Sequence, residues 1–578
     1  MVLMVLLIAC APASRPAQST TSVPAPQPTQ NRSLQIEADY LVEAAFGKSG
    51  INDRCMRETG VTVAIKYVNS NTVRNDQANK DSLPYHAYWA TSPNYLPASS
   101  SVLYYTAKSY GVVGAQASKA KVFGWTGNSI SAKSFFTLVG NKTVKPGMTN
   151  PAQADPSASL LNNLGAFLAN ENMLTMDGVN KLDQNLLKTY FGQISNVSDN
   201  ADELSKAIIA DLRDKTNKFN AYMLPEAQLI QINQELERLR IEPIQAFYIT
   251  DATVGLKFPL GYVKGNDSRD AFEAFAKCVS KSPESMKTLE SRGYRTAEYG
   301  FSMENADPKV FRKEWGIDAS MADLPLRDNP TSAVAIKLGN LYQTIFKKPL
   351  NAVMVADVSG SMNESRGNGS DGKPLPTGKQ GLDMGTTLIF NQEEAEKLTL
   401  GIGPIDIYSV YLFGGNGCTY LGTVTGNNKP VVTQMALRIS SYQASGGTPI
   451  YSCIASAIDR QLSGKYELVG VGGEKSAFES PFDPTLFNYN VYAMTDGART
   501  DSWEYDKAED KQYNPNKILF IDYYKQEKTK VKINGVGFGK VDMSETGEFS
   551  RMVKLGKGVL KDGRTDLKNT LIALFSNQ

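Results

Sequence analysis

The stretch Met354–Ser365, "MVADVSGSMNES", ends an apolar run on Asp357 and follows it with serines at 359 and 361. The run "NAVMVADV" reads as a buried strand. A buried strand that runs straight into Asp-x-Ser-x-Ser sets three oxygen side chains on one turn at its carboxyl end, where open α/β sheets place their ligand sites. Five residues of pattern can arise by chance, so their weight depends on what else in the chain points to the same place.

Two later phrases do. "ASGGTPIYSCIASAI" (444–458) sets Thr448 after a double glycine at the start of a helical segment, and "YNVYAMTDGART" (489–500) ends another apolar strand at Asp496 followed by glycine. In order and spacing, D-x-S-x-S, G-G-T-P and T-D-G resemble the metal-ion-dependent adhesion site (MIDAS) of the von Willebrand factor A (VWA) domain family. Asp357, Ser359, Ser361, Thr448 and Asp496 fill all of its ligand positions. Carboxylate and hydroxyl oxygens are hard ligands, suited to Mg²⁺, or to Mn²⁺ or Ca²⁺, whereas a zinc site would recruit Cys or His. The resemblance implies that Ser359 and Ser361 bind the ion directly, that Asp357, Thr448 and Asp496 bind directly or through water, and that a partner's Asp or Glu completes the coordination.

The resemblance extends over about 345–578. "DIYSVYLFGG" looks like the second strand of that fold, "KPVVTQMALRISSYQ" like the helix before the threonine loop, and "VKINGVGFGKVD" like the fifth strand. "EFSRMVKLGKGVLKDGRTDLKNTLIALFS" looks like a small helix, a glycine turn and the final helix. One departure stands out. After Met362 the chain continues "NESRGNGSDGKPLPTGKQG" (363–381), where glycine and proline oppose a regular helix. This insertion is expected on the rim of the metal site, either shaping partner choice or as a plain surface loop.

The 578 residues suffice for more than one domain. A hydrophobic content of 41%, a charged content of 21% and a net charge of +2 are those of globular material without the clustered basic face of a nucleic-acid binder. The only histidine, His86, sits among aromatics in "LPYHAYWATSPN" and reads as a packed or solvent-facing ring. A multi-histidine zinc site is excluded, and no general base accompanies the acidic cluster, which argues against a metal-dependent hydrolase.

The start of the sequence, "MVLMVLLIAC", is too short to span a membrane and is followed by a Pro/Ser/Thr/Gln-rich stretch. It resembles a lipoprotein signal with its lipobox, without the usual Lys or Arg before the apolar run, and implies lipidation of Cys10. Residues 11–33 lack the apolar side chains needed to offset ordering entropy and are expected to form a disordered tether. Export makes the remaining cysteines an even, disulfide-permitted set. Pairing within domains gives Cys55 with Cys278 and Cys418 with Cys453, and four free buried thiols are the alternative.

From about Ser33 to Ala297, β-branched runs alternate with amphipathic helical patterns, which implies parallel sheets flanked by helices. "RDAFEAFAKCVSKSPESMKTLESRGYRTA" (269–297) resembles the end of periplasmic solute-binding proteins, where a last helix and a Ser-Pro break lead to a strand. "GVTVAIKYVNSNT", "PYHAYWATSPN", "ASKAKVFGWTG" and "GMTNPAQADPSAS" agree with that resemblance. It implies a site for a small polar or anionic solute at Asn69, Ser70, Asn71, Thr91, Ser92, Thr149, Asn150, Ser157 and Ser159. The last four crowd the start of an apolar helix, where hydroxyls and helix amides converge; helix capping alone also explains any one of them. The charged stretch 307–330 looks like an inter-domain connection.

The expected fold class is α/β: a signal segment (1–10), a tether (11–33), a two-lobed solute-binding-like domain (34–330) and a doubly wound, Rossmann-like VWA domain (331–578). The expected role is non-catalytic binding of an acidic ligand by an envelope lipoprotein. The runner-up is a substrate-binding receptor of an ABC-type transport system.

Overall fold

The computed structural model describes residues 32–75, 83–194, 197–263, 268–296, 301–303, 306–321, 324–368, 374–415, 417–497, 500–501, 503–506, 518–526, 528–564 and 567–576. Cys10, the signal segment and nearly all of the tether lie outside the described residues, as do 369–373 of the rim insertion.

The first module is built on two sheets. The chain lays down β1 (Ser33–Asp39), β2 (Thr62–Val68), β3 (Ala87–Trp89) and β4 (Ser100–Tyr105), and then crosses to a second sheet. There it forms β5 (Ser109–Gln116), β6 (Ser129–Ile130), β7 (Pro146–Thr149), β8 (Val197–Ser198), β9 (Ala221–Pro225), β10 (Ile244–Ile249) and β11 (Val254–Leu256), before returning as β12 (Pro259–Val263). The resulting orders are β2-β1-β3-β12-β4 and β6-β10-β5-β9-β7-β8, with β11 beside β5. At the crossing, the Thr106 N–H donates to the Phe258 carbonyl at 3.1 Å. The Trp89 indole N–H donates to Thr106 Oγ1 at 2.9 Å. Edge strand β2 alternates exposed and half-buried residues, whereas interior β12 is buried throughout, as its position in the sheet requires.

In the second module β13 (Leu350–Asp357), β14 (Ile407–Gly414), β15 (Gly417–Thr425), β16 (Lys465–Val469), β17 (Lys475–Glu479), β18 (Asn488–Thr495), β19 (Lys532–Gly537) and β20 (Lys557–Asp562) form one sheet. Its order is β17-β16-β15-β14-β13-β18-β19-β20. β13 is parallel to both β14 and β18. Separate apolar clusters cover the two faces of this sheet. Every residue of β13 is therefore buried, which is why it reads as a continuous apolar run.

Several expectations need correction. The stretch 307–330 is no free connection: Val310, Phe311, Trp315 and Ile317 enter the core of the second lobe, apolar residues that its charged neighbours obscure. Arg295 of the "RGYR" phrase begins no strand. It makes a single bridge with Lys108, and its buried guanidinium pairs with Glu226 at 3.0 Å and donates to the carbonyls of Phe301 and Asp318. The helix Ser332–Leu341 and the turns after it pack Val334, Leu338, Tyr342 and Phe346 into the first module's core, so the second module's own packing begins near Leu350. The closing segment contains the edge strand β20, paired to β19, between its two helices. Regular helix also resumes within the rim phrase, at Gly378. Gly381 and Gly385 are tolerated there because Leu567 and Leu571 of the last helix occupy the space a Cβ would need.

Both cysteine pairs are joined, Cys55–Cys278 at 2.03 Å and Cys418–Cys453 at 1.99 Å, each within one module. The His86 ring accepts the Gln35 N–H on Nδ1 at 2.9 Å, a pairing between neighbouring chain segments.

Candidate functional site

β13 pairs with β14 on one side and β18 on the other, so the chain reverses direction across the sheet at the carboxyl end of β13. A switch point of this kind opens a crevice between diverging loops. Asp357 ends β13 there, and Asp496 follows the last residue of neighbouring β18.

The Asp357 carboxylate is fully buried. Its Oδ1 accepts the Ser359 N–H at 2.8 Å, and its Oδ2 accepts the Thr495 hydroxyl at 2.7 Å. The Ser359 and Ser361 hydroxyls lie 3.0 Å apart, and Ser361 donates to Asp496 Oδ1 at 2.8 Å. Thr448 arrives on a loop pinned to the same turn: the Gly360 N–H donates to the Gly446 carbonyl at 3.0 Å and the Ser445 N–H to the Val358 carbonyl at 2.8 Å. Gly446 has φ of 70°, and a Cβ there would strike the backbone of Gly415. The pattern's double glycine thus permits a close loop approach. Thr448 is buried, and its N–H donates to Thr500 Oγ1 at 2.5 Å.

Burial pushes the Asp357 carboxyl above the ordinary range in spite of its donors. Asp496 is pushed up to about 6, first by burial and then by the charges of Asp357 and Glu364. Among the described residues neither carboxylate has a cationic side chain within ion-pairing distance. Lys540 pairs with Glu364 at 3.1 Å, and Arg366 donates to the carbonyls of Gly563 and Arg564. Two crowded carboxylates with only neutral donors are an unfavourable arrangement that a bound cation would relieve. The donor set is all oxygen, so Asp357, Ser359, Ser361, Thr448 and Asp496 fit a hard divalent ion.

Three supporting residues escaped the sequence reading. Thr495 holds Asp357, and its only signal is its place beside Asp496. Thr500 orients the Thr448 loop. Gly378 begins the rim helix, where a Cβ would lie 2.7 Å from Met362 Sδ and 3.2 Å from Asp496 Oδ2. The signal that could have found that helix start is its capping box, Thr377 with Gln380.

All nine residues expected at a solute site are buried where the two lobes of the first module meet. They are largely engaged with protein groups. Ser70 donates to Asp39, and its Oγ accepts the Asp155 N–H at 3.1 Å. Thr91 donates to Asp155, and the Ser159 hydroxyl reaches Asp155 Oδ1 at 2.8 Å. Thr149 donates to Ser157 at 2.9 Å, and the Ala152 N–H donates to Asn150 Oδ1 at 2.7 Å. Among the described residues Asn69 Oδ1 has no hydrogen-bond partner. Asp39 and Asp155, which the sequence reading missed, stand among them; the charge of Arg74 acts on Asp155, and burial raises Asp39 to about 7. A cavity of about 220 Å³ remains at the mouth, lined by Ser92, Ser159, Asn163, Lys257, Arg327 and Asn329, among others.

No protein-family model and no curated protein matches the sequence. Among solved structures, the chain is similar to the sulfate-binding protein SubI from Mycobacterium tuberculosis H37Rv, at 13% identity over 52% of this chain and 95% of that one, with a TM-score of 0.34. It is similar to iron-bound HitA from Pseudomonas aeruginosa at 12% identity, over 53% of this chain and 97% of that one, with a TM-score of 0.36. The periplasmic binding protein AfuA from Actinobacillus pleuropneumoniae, with fructose-6-phosphate bound, is similar at 10% identity, over 54% of this chain and 98% of that one, with a TM-score of 0.35. Among the described residues no helix is long and apolar enough to cross a membrane.

Proposed function

We propose that the protein is an exported, lipid-anchored binding protein, attached through Cys10, whose second module is a VWA-type domain. That module holds Mg²⁺, or Mn²⁺ or Ca²⁺, at Asp357, Ser359, Ser361, Thr448 and Asp496, and captures an Asp or Glu carboxylate of a partner. The observation that carries this reading is the convergence of Asp357 and Asp496 with the Ser359 and Ser361 hydroxyls at a sheet switch point, with no cationic side chain among the described residues within ion-pairing distance of either carboxylate. Bound there, the ion supplies an electrophilic centre for an incoming carboxylate. Thr495 orients Asp357, Ser361 orients Asp496, and the insertion carrying Glu364 and Arg366 lines the approach.

Thermal unfolding of the full chain with Mg²⁺ and with EDTA tests this. Mg²⁺ is expected to raise the second module's melting temperature in the wild type and to leave Asp357→Ala unchanged. A wild type indifferent to Mg²⁺, Mn²⁺ and Ca²⁺ overturns the reading.

A second reading, a receptor delivering a small polar or anionic solute to a transport system, is favoured by the cavity beside Ser92 and Ser159, with Lys257 and Arg327 in its lining. A saturable melting shift with sulfate, phosphate or a sugar phosphate that persists in Asp357→Ala would establish it, and the absence of any such shift would remove it.

A further inference from the structure

The meeting line of the two lobes receives a residue from the other module. Thr399 follows the helix Gln392–Lys397 of the second module, is fully buried, and has φ of 54°. A β-branched residue in the left-handed region is strained, and it persists only where its surroundings hold it.

Those surroundings come from both lobes. Asn71, in the short helix Ser70–Asn75 after β2, donates its Nδ2 to Thr399 Oγ1 at 2.9 Å. Gln153, on the loop after β7, donates its Nε2 to the same oxygen at 2.5 Å and to the Leu398 carbonyl at 3.0 Å. The two lobe residues also meet directly, the Asn71 N–H donating to the Gln153 carbonyl at 3.0 Å. The Thr399 methyl group rests against Gly339, where a Cβ would lie 3.1 Å away.

A second strap crosses the same two lobes. Asn329 donates to Ser92 Oγ of the first lobe at 2.8 Å. In the second lobe Asn172 donates to Asp328 at 3.1 Å, and Arg327 donates to the Asp251 carbonyl at 3.1 Å. Lys561, from β20, adds an ion pair with Glu203 of the second lobe at 2.9 Å.

We propose that the Leu398–Thr399 turn is an internal ligand of the seam between the lobes. Its hydroxyl and carbonyl present two acceptors to the amides of Asn71 and Gln153, one from each lobe. The partner that closes the first module is therefore this chain's own second module, and a solute reaches the inner cleft only when the modules part. This inference goes beyond the metal-site reading and does not depend on it.

Nitroxides at Arg57→Cys on the first lobe and Val122→Cys on the second, both exposed, report lobe separation by pulsed dipolar spectroscopy in the full chain carrying Cys10→Ser. The wild-type background and Thr399→Ser, which keeps the hydroxyl, are expected to give one narrow, short distance. Thr399→Glu buries a charge in the seam and is expected to give a longer, broader distribution. Should that variant fail to fold, the pair Asn71→Ala and Gln153→Ala removes both donors without inserting a charge, with lengthening expected again. A wild-type distance in either folded variant overturns the proposal. The melting response to Mg²⁺, read on the same samples, separates this outcome from the fate of the metal site.

Discussion

The Thr495 hydroxyl donates to Asp357 Oδ2 at 2.7 Å and so joins the carboxyl ends of β18 and β13 beneath the candidate metal site. Removing it in Thr495→Val leaves a buried carboxylate oxygen without this donor, at a cost of about 1–3 kcal/mol. Groups that orient metal ligands commonly contribute ~10–100-fold to affinity. Calorimetric titration with Mg²⁺ is expected to show a loss of that order, and an unchanged affinity would remove Thr495 from the site.

Gly378→Ala reverses an ordinary rule. Alanine in a helix normally gains up to ~1 kcal/mol over glycine. Here its Cβ would press on Met362 Sδ and crowd Asp496 Oδ2. Overpacking typically costs ~1–3 kcal/mol. Urea denaturation is expected to show net destabilisation, and Mg²⁺ titration a weaker site. A variant more stable than wild type, with unaltered titration, would show that the rim helix adjusts freely.

The Cys418–Cys453 bridge closes a loop with a sequence separation of 35. In the chain-entropy account such a closure contributes about 4 kcal/mol. Cys418→Ser with Cys453→Ser is expected to lower the second module's melting temperature and to leave the Cys55–Cys278 pair in place on non-reducing peptide mapping. No loss of stability would contradict the entropic account for this loop.

Asp39 makes stability depend on pH. Burial raises its carboxyl from 3.8 to about 7, so over that window the folded chain holds a proton that the unfolded chain has released. Its contribution favours folding at the acid end and is lost as the pH rises through about 7. Asp39→Asn keeps an acceptor for the Leu41 N–H and removes the titration. Denaturation midpoints at about pH 5 and about pH 8 are expected to differ less in Asp39→Asn than in wild type. An equal difference would assign the slope to other groups.

Much of the candidate metal site was legible because its ligands are local events. Each lies one to five residues beyond an apolar run or a double glycine, and a strand end places such residues without help from distant sequence. The buried alternation of strands and helices was legible for the same reason. What lies beside the site was not. Gly378 reads as a helix breaker until Asp496 and Met362 are seen occupying the space of its missing side chain, and Thr495 reads as an ordinary strand residue until its neighbour strand brings Asp357 to it. β20 reads as a turn because this edge strand buries none of its residues fully, leaving its pairing with β19 to decide it.

The α/β character was legible in residue order, and the resemblance carried by three short phrases nominated Asp357, Ser359, Ser361, Thr448 and Asp496. The sequence could not reveal that Val334, Leu338, Tyr342 and Phe346 belong to the first module's core, that Asp39 and Asp155 stand among the expected solute residues, or that Thr399 fills the seam between the lobes. Those facts depend on contacts between segments up to 328 positions apart, such as Asn71 and Thr399. Local propensity carries no record of such pairs; only the folded chain brings their donors and acceptors within reach.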